Sequence, residues 1–153
     1  MTRRTLKLGP KEQELITDNL RLAHALVIQY ARIDVRPPID PPTLDTTYTA
    51  WTLERSHSDE GFEVNLEAFA LAFGQYLVDR LGMEWVVVSD SEGTELAVHA
   101  KVGEITLYPQ SMVKKRFAAR QTGFFQPAYV EVRRKIEEAI RKSKRPWWKF
   151  GRV

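Results

Sequence analysis

Trp85-Val86-Val87-Val88, Asp90-Ser91-Glu92-Gly93 and Leu96-Ala97-Val98 follow one another along the chain, and the fold class turns on this stretch. β-Branched and aromatic residues suit the pleated surface of a strand, whereas Asp-Ser-Glu-Gly is turn chemistry. Lys101 to Glu104 supplies a second turn at Gly103, and Ile105 to Tyr108 a third run closed by Pro109. The pattern predicts a three-stranded antiparallel meander.

On the N-terminal side of the meander the apolar period changes from two to three or four. Leu66, Phe69, Ala70, Phe73, Leu77 and Leu81 recur at helical spacing, with Asn65 read as the N-cap and Gly82 at the C′ position. Gly74 inside this helix costs about 1 kcal/mol relative to alanine, so a close packing contact is expected there. Further upstream, Leu15, Asn19, Leu22, Leu26, Tyr30 and Ile33 form one face of a helix of roughly six turns after Gly9-Pro10, widened by Ile16, Ala23 and Val27. Pro37-Pro38 and Pro41-Pro42 end it. Thr43 to Arg55 reads as a short helix with Leu44, Tyr48 and Trp51 on one side, although its threonines suit a strand equally well, and His57 to Val64 reads as a loop.

Beyond Pro109 a short helix from about Ser111 to Arg120 precedes a longer one from Pro127 to Lys142, with Tyr129, Val132, Ile136 and Ile140 inward. The expected fold is therefore α+β: N-terminal helices, a three-stranded antiparallel meander and two C-terminal helices. Residues 1–142 read as a single domain and 143–153 as a basic, aromatic C-terminal tail.

With 153 residues, 43% of them hydrophobic and 28% charged, the chain can close an ordinary core. It has no cysteine, which excludes disulfides, thiolate zinc sites, iron–sulfur clusters and a cysteine nucleophile, and fits a reducing, cytoplasmic setting. Met1 to Leu8 carries Arg3, Arg4 and Lys7 with no apolar stretch behind them, and no window approaches the apolar length of a membrane span.

Residue patterns for catalysis are missing from the linear sequence. His24, His57 and His99 stand apart, without the spacing of a metal pair, and His24 reads as a hydrogen-bonded boundary residue. Ser111 is in no GxSxG turn and reads as a helix cap. Gly93 and Gly103 are single hairpin glycines rather than a phosphate loop. Asp90, Glu92 and Glu95, like Asp59, Glu60 and Glu63, lack the order of a calcium loop and read as solvated turn residues. No catalytic residue, metal or cofactor is expected on these grounds.

Charge supplies the one positive signal. Residues 112–153 hold 13 Lys+Arg against 3 Asp+Glu, a net of +10, which leaves −7 for residues 1–111. Lys114, Lys115, Arg116 and Arg120 crowd the first C-terminal helix, and Arg133, Arg134 and Arg141 the second. Lys144 and Arg145 lead into Trp147 and Trp148. Cations that track phosphates beside flat rings are what a nucleic-acid or anionic-membrane surface requires. Glu131, Glu137 and Glu138 stand four residues before Lys135, Arg141 and Lys142, so the same face also reads as a helix stabilised by its own ion pairs.

Ala72-Phe73-Gly74-Gln75-Tyr76-Leu77, Leu81-Gly82-Met83-Glu84-Trp85-Val86-Val87-Val88, Gly93-Thr94-Glu95-Leu96-Ala97 and Leu107-Tyr108-Pro109-Gln110-Ser111-Met112-Val113-Lys114-Lys115-Arg116 together resemble a family of small bacterial domains of unknown function. The resemblance runs from Leu66 to Phe117. It implies a bacterial origin and the same order of helix, meander and short helix, and it brings no catalytic residue with it. Some domains of this size and style act as immunity or accessory factors beside toxins.

The expected function is a non-enzymatic protein-interaction module, with a protein partner or self-association. Binding to nucleic acid or an anionic membrane through the basic helices and tail is the alternative. An enzyme whose site is assembled only on folding is the third reading.

Overall fold

The computed structural model describes residues 3–54 and 61–144. Among these residues it is an α+β fold of five α-helices and one antiparallel sheet, with α3 and α4 packed on the sheet. The chain begins with β1 (Arg4–Leu6) and α1 (Pro10–Leu26), which continues as a π-helical turn from Val27 to Ala31. Pro10 occupies the first helical position, and the Gly9 N–H donates to Glu12 Oε1 at 3.2 Å, which satisfies an otherwise open amide. Two further helices follow, α2 (Pro41–Leu53) and α3 (Phe62–Leu81).

The meander comes next as β2 (Glu84–Asp90), β3 (Gly93–Ala100) and β4 (Ile105–Leu107), and then α4 (Pro109–Ala118) and α5 (Phe125–Ser143). The sheet has four strands, not the three expected, in the order β1-β2-β3-β4. Arg4, Thr5 and Leu6 are all exposed and carry no alternation; they become a strand because β2 offers them a free edge, with Thr5 opposite Val88.

Another expectation is corrected at a helix end. α3 starts one turn earlier than Asn65: Gly61, at φ 104°, opens it, and Asn65 N–H bonds back to the Gly61 carbonyl at 3.1 Å. Phe62 holds the extra turn by stacking on Phe117, with ring centroids 5.6 Å apart. Gly82 does occupy the left-handed C-cap, at φ 68°.

The inward face of α1 is also rotated from the row read in the sequence. Ile16, Asn19, Ala23, Leu26 and Val27 are buried, whereas Leu15 and Ile33 are exposed. Asn19 is tolerated inside because its Nδ2 donates to the Leu15 carbonyl at 2.9 Å. The helix expected over Thr43 to Arg55 is present as Pro41–Leu53, with Arg55 outside the described residues, and its start is set by Asp40, whose Oδ1 accepts from Thr43 N–H at 2.8 Å.

α3 lies at the centre, touching α1, α2, α4, α5 and the sheet. Its Ala68, Phe69, Ala70, Leu71, Ala72 and Phe73 are all buried, so it is enclosed on nearly every side rather than along one stripe. Around Tyr48 the rings of Phe69, Phe124 and Phe125 stand edge-on with centroids 5.0 to 5.8 Å away. On the sheet, Trp85, Val87, Leu96 and Val98 face the helices, while Val86, Val88 and Ala97 on the other face pack with Tyr108.

The contact expected at Gly74 is Trp85. A Cβ on Gly74 would lie 2.9 Å from Trp85 Cζ2 and 3.1 Å from Pro109 Cγ, closer than side-chain carbons pack. Glycine here lets the indole lie directly on the α3 backbone.

Candidate functional site

Two apolar clusters meet imperfectly beside that indole. One contains Ile39, Ala72 and most of the aromatic core; the other joins Ile16 to Leu71, Val87 and Leu96, and both touch Leu20 and Trp85. Between them α1, the proline loop before α2 and the middle of α3 leave a cleft of about 350 Å³. Ile16, Leu20, Ile39, Ala72 and Trp85 give it an apolar floor, and Pro37 and Pro38, joined by a cis peptide bond, form one wall.

The cleft has a polar rim whose members hold one another in place. Gln75 Oε1 accepts from Trp85 Nε1 at 2.9 Å, and its Nε2 donates to Asp79 Oδ1 at 3.0 Å. The indole is thereby clamped between Gly74 beneath and Gln75 at its nitrogen. On the opposite rim His24 Nε2 lies 3.2 Å from Asp34 Oδ1, the boundary histidine expected from the sequence. A preformed apolar concavity with a few fixed polar groups is the ordinary form of a binding site. The linear sequence does not mark it, because its walls come from four separate segments.

The basic residues do not form one arranged site. Lys114, Lys115 and Arg116 are exposed on α4, and Arg120 follows it in a left-handed conformation at φ 57°. α4 packs on α3 and β3, whereas α5 packs on α2, α3 and the 102–104 turn. On α5 the cations are largely paired: Arg134 bridges Glu131 at 2.8 Å and Glu138 at 3.2 Å, and Lys142 reaches Glu138 at 3.3 Å. These bonds pull Glu131 and Glu138 below the usual carboxylate range, through Arg134 and Lys142 respectively. Glu137 pairs backward with Arg133 at 3.5 Å instead of forward with Arg141. Arg133 also lies over the Tyr129 ring, 5.3 Å from its centroid. Arg141 and Lys144 are exposed at the end of α5, and Arg145, Trp147 and Trp148 lie outside the described residues.

Two residues read as bland are brought together. Ser111 is not the cap of α4, since Tyr108 holds that position and Pro109 starts the helix; its Oγ donates instead to Glu95 Oε1 on β3. Glu95 is accordingly a tertiary contact rather than a solvated turn residue, and Gln110 likewise reaches Glu67 on α3 at 2.7 Å. His99 Nδ1 lies 2.9 Å from Thr106 Oγ1, and among the described residues no cluster of metal-ligating side chains occurs. No helix among them is long and apolar enough to cross a membrane.

A family model described as "Domain of unknown function (DUF3806)" matches residues 44–129. A crystal structure from Bacteroides thetaiotaomicron VPI-5482 is similar in fold, with a TM-score of 0.65 at 14% sequence identity. The similarity covers 79% of this chain and 43% of that one, so the chain spans less than half the length of its structural relative. A search of the curated proteins gives no match.

Proposed function

The chain belongs to the DUF3806 family, and we propose that it is a non-enzymatic protein-interaction module whose cleft beside Trp85 receives an apolar side chain of a protein partner. The observation that carries this reading is the clamped indole at the edge of an open apolar cavity of about 350 Å³. Closing the cavity would need only a larger side chain from α1 or α3, yet Thr17 and Ala72 leave it open. An anchor residue entering a rigid pocket loses little conformational freedom on the receiving side, which is what gives small interfaces their affinity.

In this reading residues 1–142 form one domain and 143–153 an appended segment. Thr17 is exposed and lines the cleft, so Thr17→Trp fills it without disturbing the core. Selection of a displayed peptide library on the immobilised protein is expected to enrich peptides with an apolar anchor, and Thr17→Trp to lose them. Enrichment that is equal on both proteins, or none on either, contradicts the proposal.

A further inference from the structure

A second concavity is shared by β4 and α4, the helix that follows it directly after Tyr108. β4 is the last strand of the sheet, so β3 covers one of its edges and no strand among the described residues covers the other. The groove shared by β4 and α4 encloses about 470 Å³. Thr106 and Leu107 form its strand side, and Met112, Lys115, Arg116 and Ala119 its helix side. None of the residues that line it is acidic.

An open strand edge offers backbone N–H and C=O groups that remain unpaired until another strand is added. Most proteins blunt such an edge, but here Thr106 and Leu107 of β4 share a concavity with the cations of α4. Lys115 and Arg116 are exposed, neither has an ion-pair partner among the described residues, and Arg116 Nη1 is held by Gln121 Oε1 at 2.7 Å. Past Tyr108 the charge becomes mixed, because Asp90, Glu92 and Glu95 line the neighbouring hollow together with Arg3 and Lys115. The cationic section is thus short and bounded.

We propose that the β4–α4 groove binds an extended acidic peptide segment of a partner protein, which adds to the sheet as a fifth strand. Main-chain bonds to β4 supply strand pairing. Alternation along the peptide then sets every second side chain against α4, where carboxylates meet Lys115 and Arg116 and small apolar groups meet Met112 and Ala119. An oligonucleotide fits the charge but not the strand edge, since it has no peptide groups to pair there. This site is separate from the cleft beside Trp85, and either can fail without the other.

The test uses the full chain and a fluorescent peptide of about eight residues that alternates Glu and Val, an ordinary strand length. Saturable binding is expected, weakened at least about tenfold in a Lys115→Glu, Arg116→Glu double variant, since both replaced groups are solvent-exposed cations of the groove. A matched Lys–Val peptide should not bind. Amide hydrogen exchange should show new protection at residues 105–108 with the acidic peptide and not without it. Absence of saturable binding, binding that the double variant retains, protection confined to other strands, or preference for an oligothymidylate over the peptide each overturns the proposal.

Discussion

Asp45 on α2 caps α5 from 80 residues away: the Phe125 N–H donates to its Oδ1 at 2.8 Å and the Gln126 N–H to its Oδ2 at 3.0 Å. α5 has no side-chain cap of its own at Phe124, so this carboxylate satisfies amides that would otherwise be left open beside the aromatic core. A negative group at a helix start also meets the positive end of the helix dipole.

Asp45→Ala should therefore cost about 1–3 kcal/mol, the range for losing a cap and leaving part-buried donors unpaired. Asp45→Asn should cost less, because one carbonyl oxygen remains. Urea unfolding gives both values; an Ala variant as stable as the wild type would show that water replaces the cap at no loss.

At Gly74 two effects oppose each other. Alanine is favoured in a helix interior by about 1 kcal/mol, but an added Cβ would press into Trp85 and Pro109. Overpacking costs about 1–3 kcal/mol, so Gly74→Ala should be net destabilising. Combining it with Trp85→Leu should recover part of that loss, a positive coupling in a double-mutant cycle. Purely additive effects would disprove the contact.

The Tyr48 hydroxyl is buried without a hydrogen-bond partner among the described residues, and burial pushes its pKa up to about 12. Tyr48→Phe should stabilise the protein by up to about 1 kcal/mol at neutral pH, since it removes an unsatisfied polar group and leaves the ring contacts in place. The folded state keeps this proton to higher pH than the unfolded chain, whose tyrosines ionise near 10. Stability is therefore full below about pH 10 and is lost as pH rises toward 12. Alkaline titration followed by circular dichroism should show the Phe variant unfolding at higher pH, and an unchanged alkaline midpoint would contradict the assignment.

Much of the fold was legible in local pattern, and the reasons differ by element. β2 and β3 announced themselves through Trp85 to Val88 and the Asp90–Gly93 turn, because strand period and turn chemistry are both local. β1 was not, since Arg4 to Leu6 is a strand only by virtue of the β2 edge. The true inward face of α1 was blurred by Leu15 and Ile33, which are apolar yet exposed. Gly74 gave a correct hint of a close contact but not of its partner.

The candidate cleft was illegible for a related reason. Ile16, Ile39, Ala72 and Trp85 belong to four segments, and nothing in the spacing of any one marks a cavity. Charge was visible in the sequence but its use was not: Glu131 and Glu138 consume Arg134 and Lys142 on α5, while Lys115 and Arg116 on α4 stand unpaired among the described residues.

The most direct measurement is a nuclear magnetic resonance titration with a library-selected, apolar-anchored peptide, followed at the Trp85 indole N–H, the group bonded to Gln75 at the cleft rim. This resonance and those of Ile16 and Ile39 are expected to shift saturably, and Thr17→Trp to remove the shifts. Saturable binding that leaves Trp85 unmoved while other surfaces respond would contradict binding in the cleft.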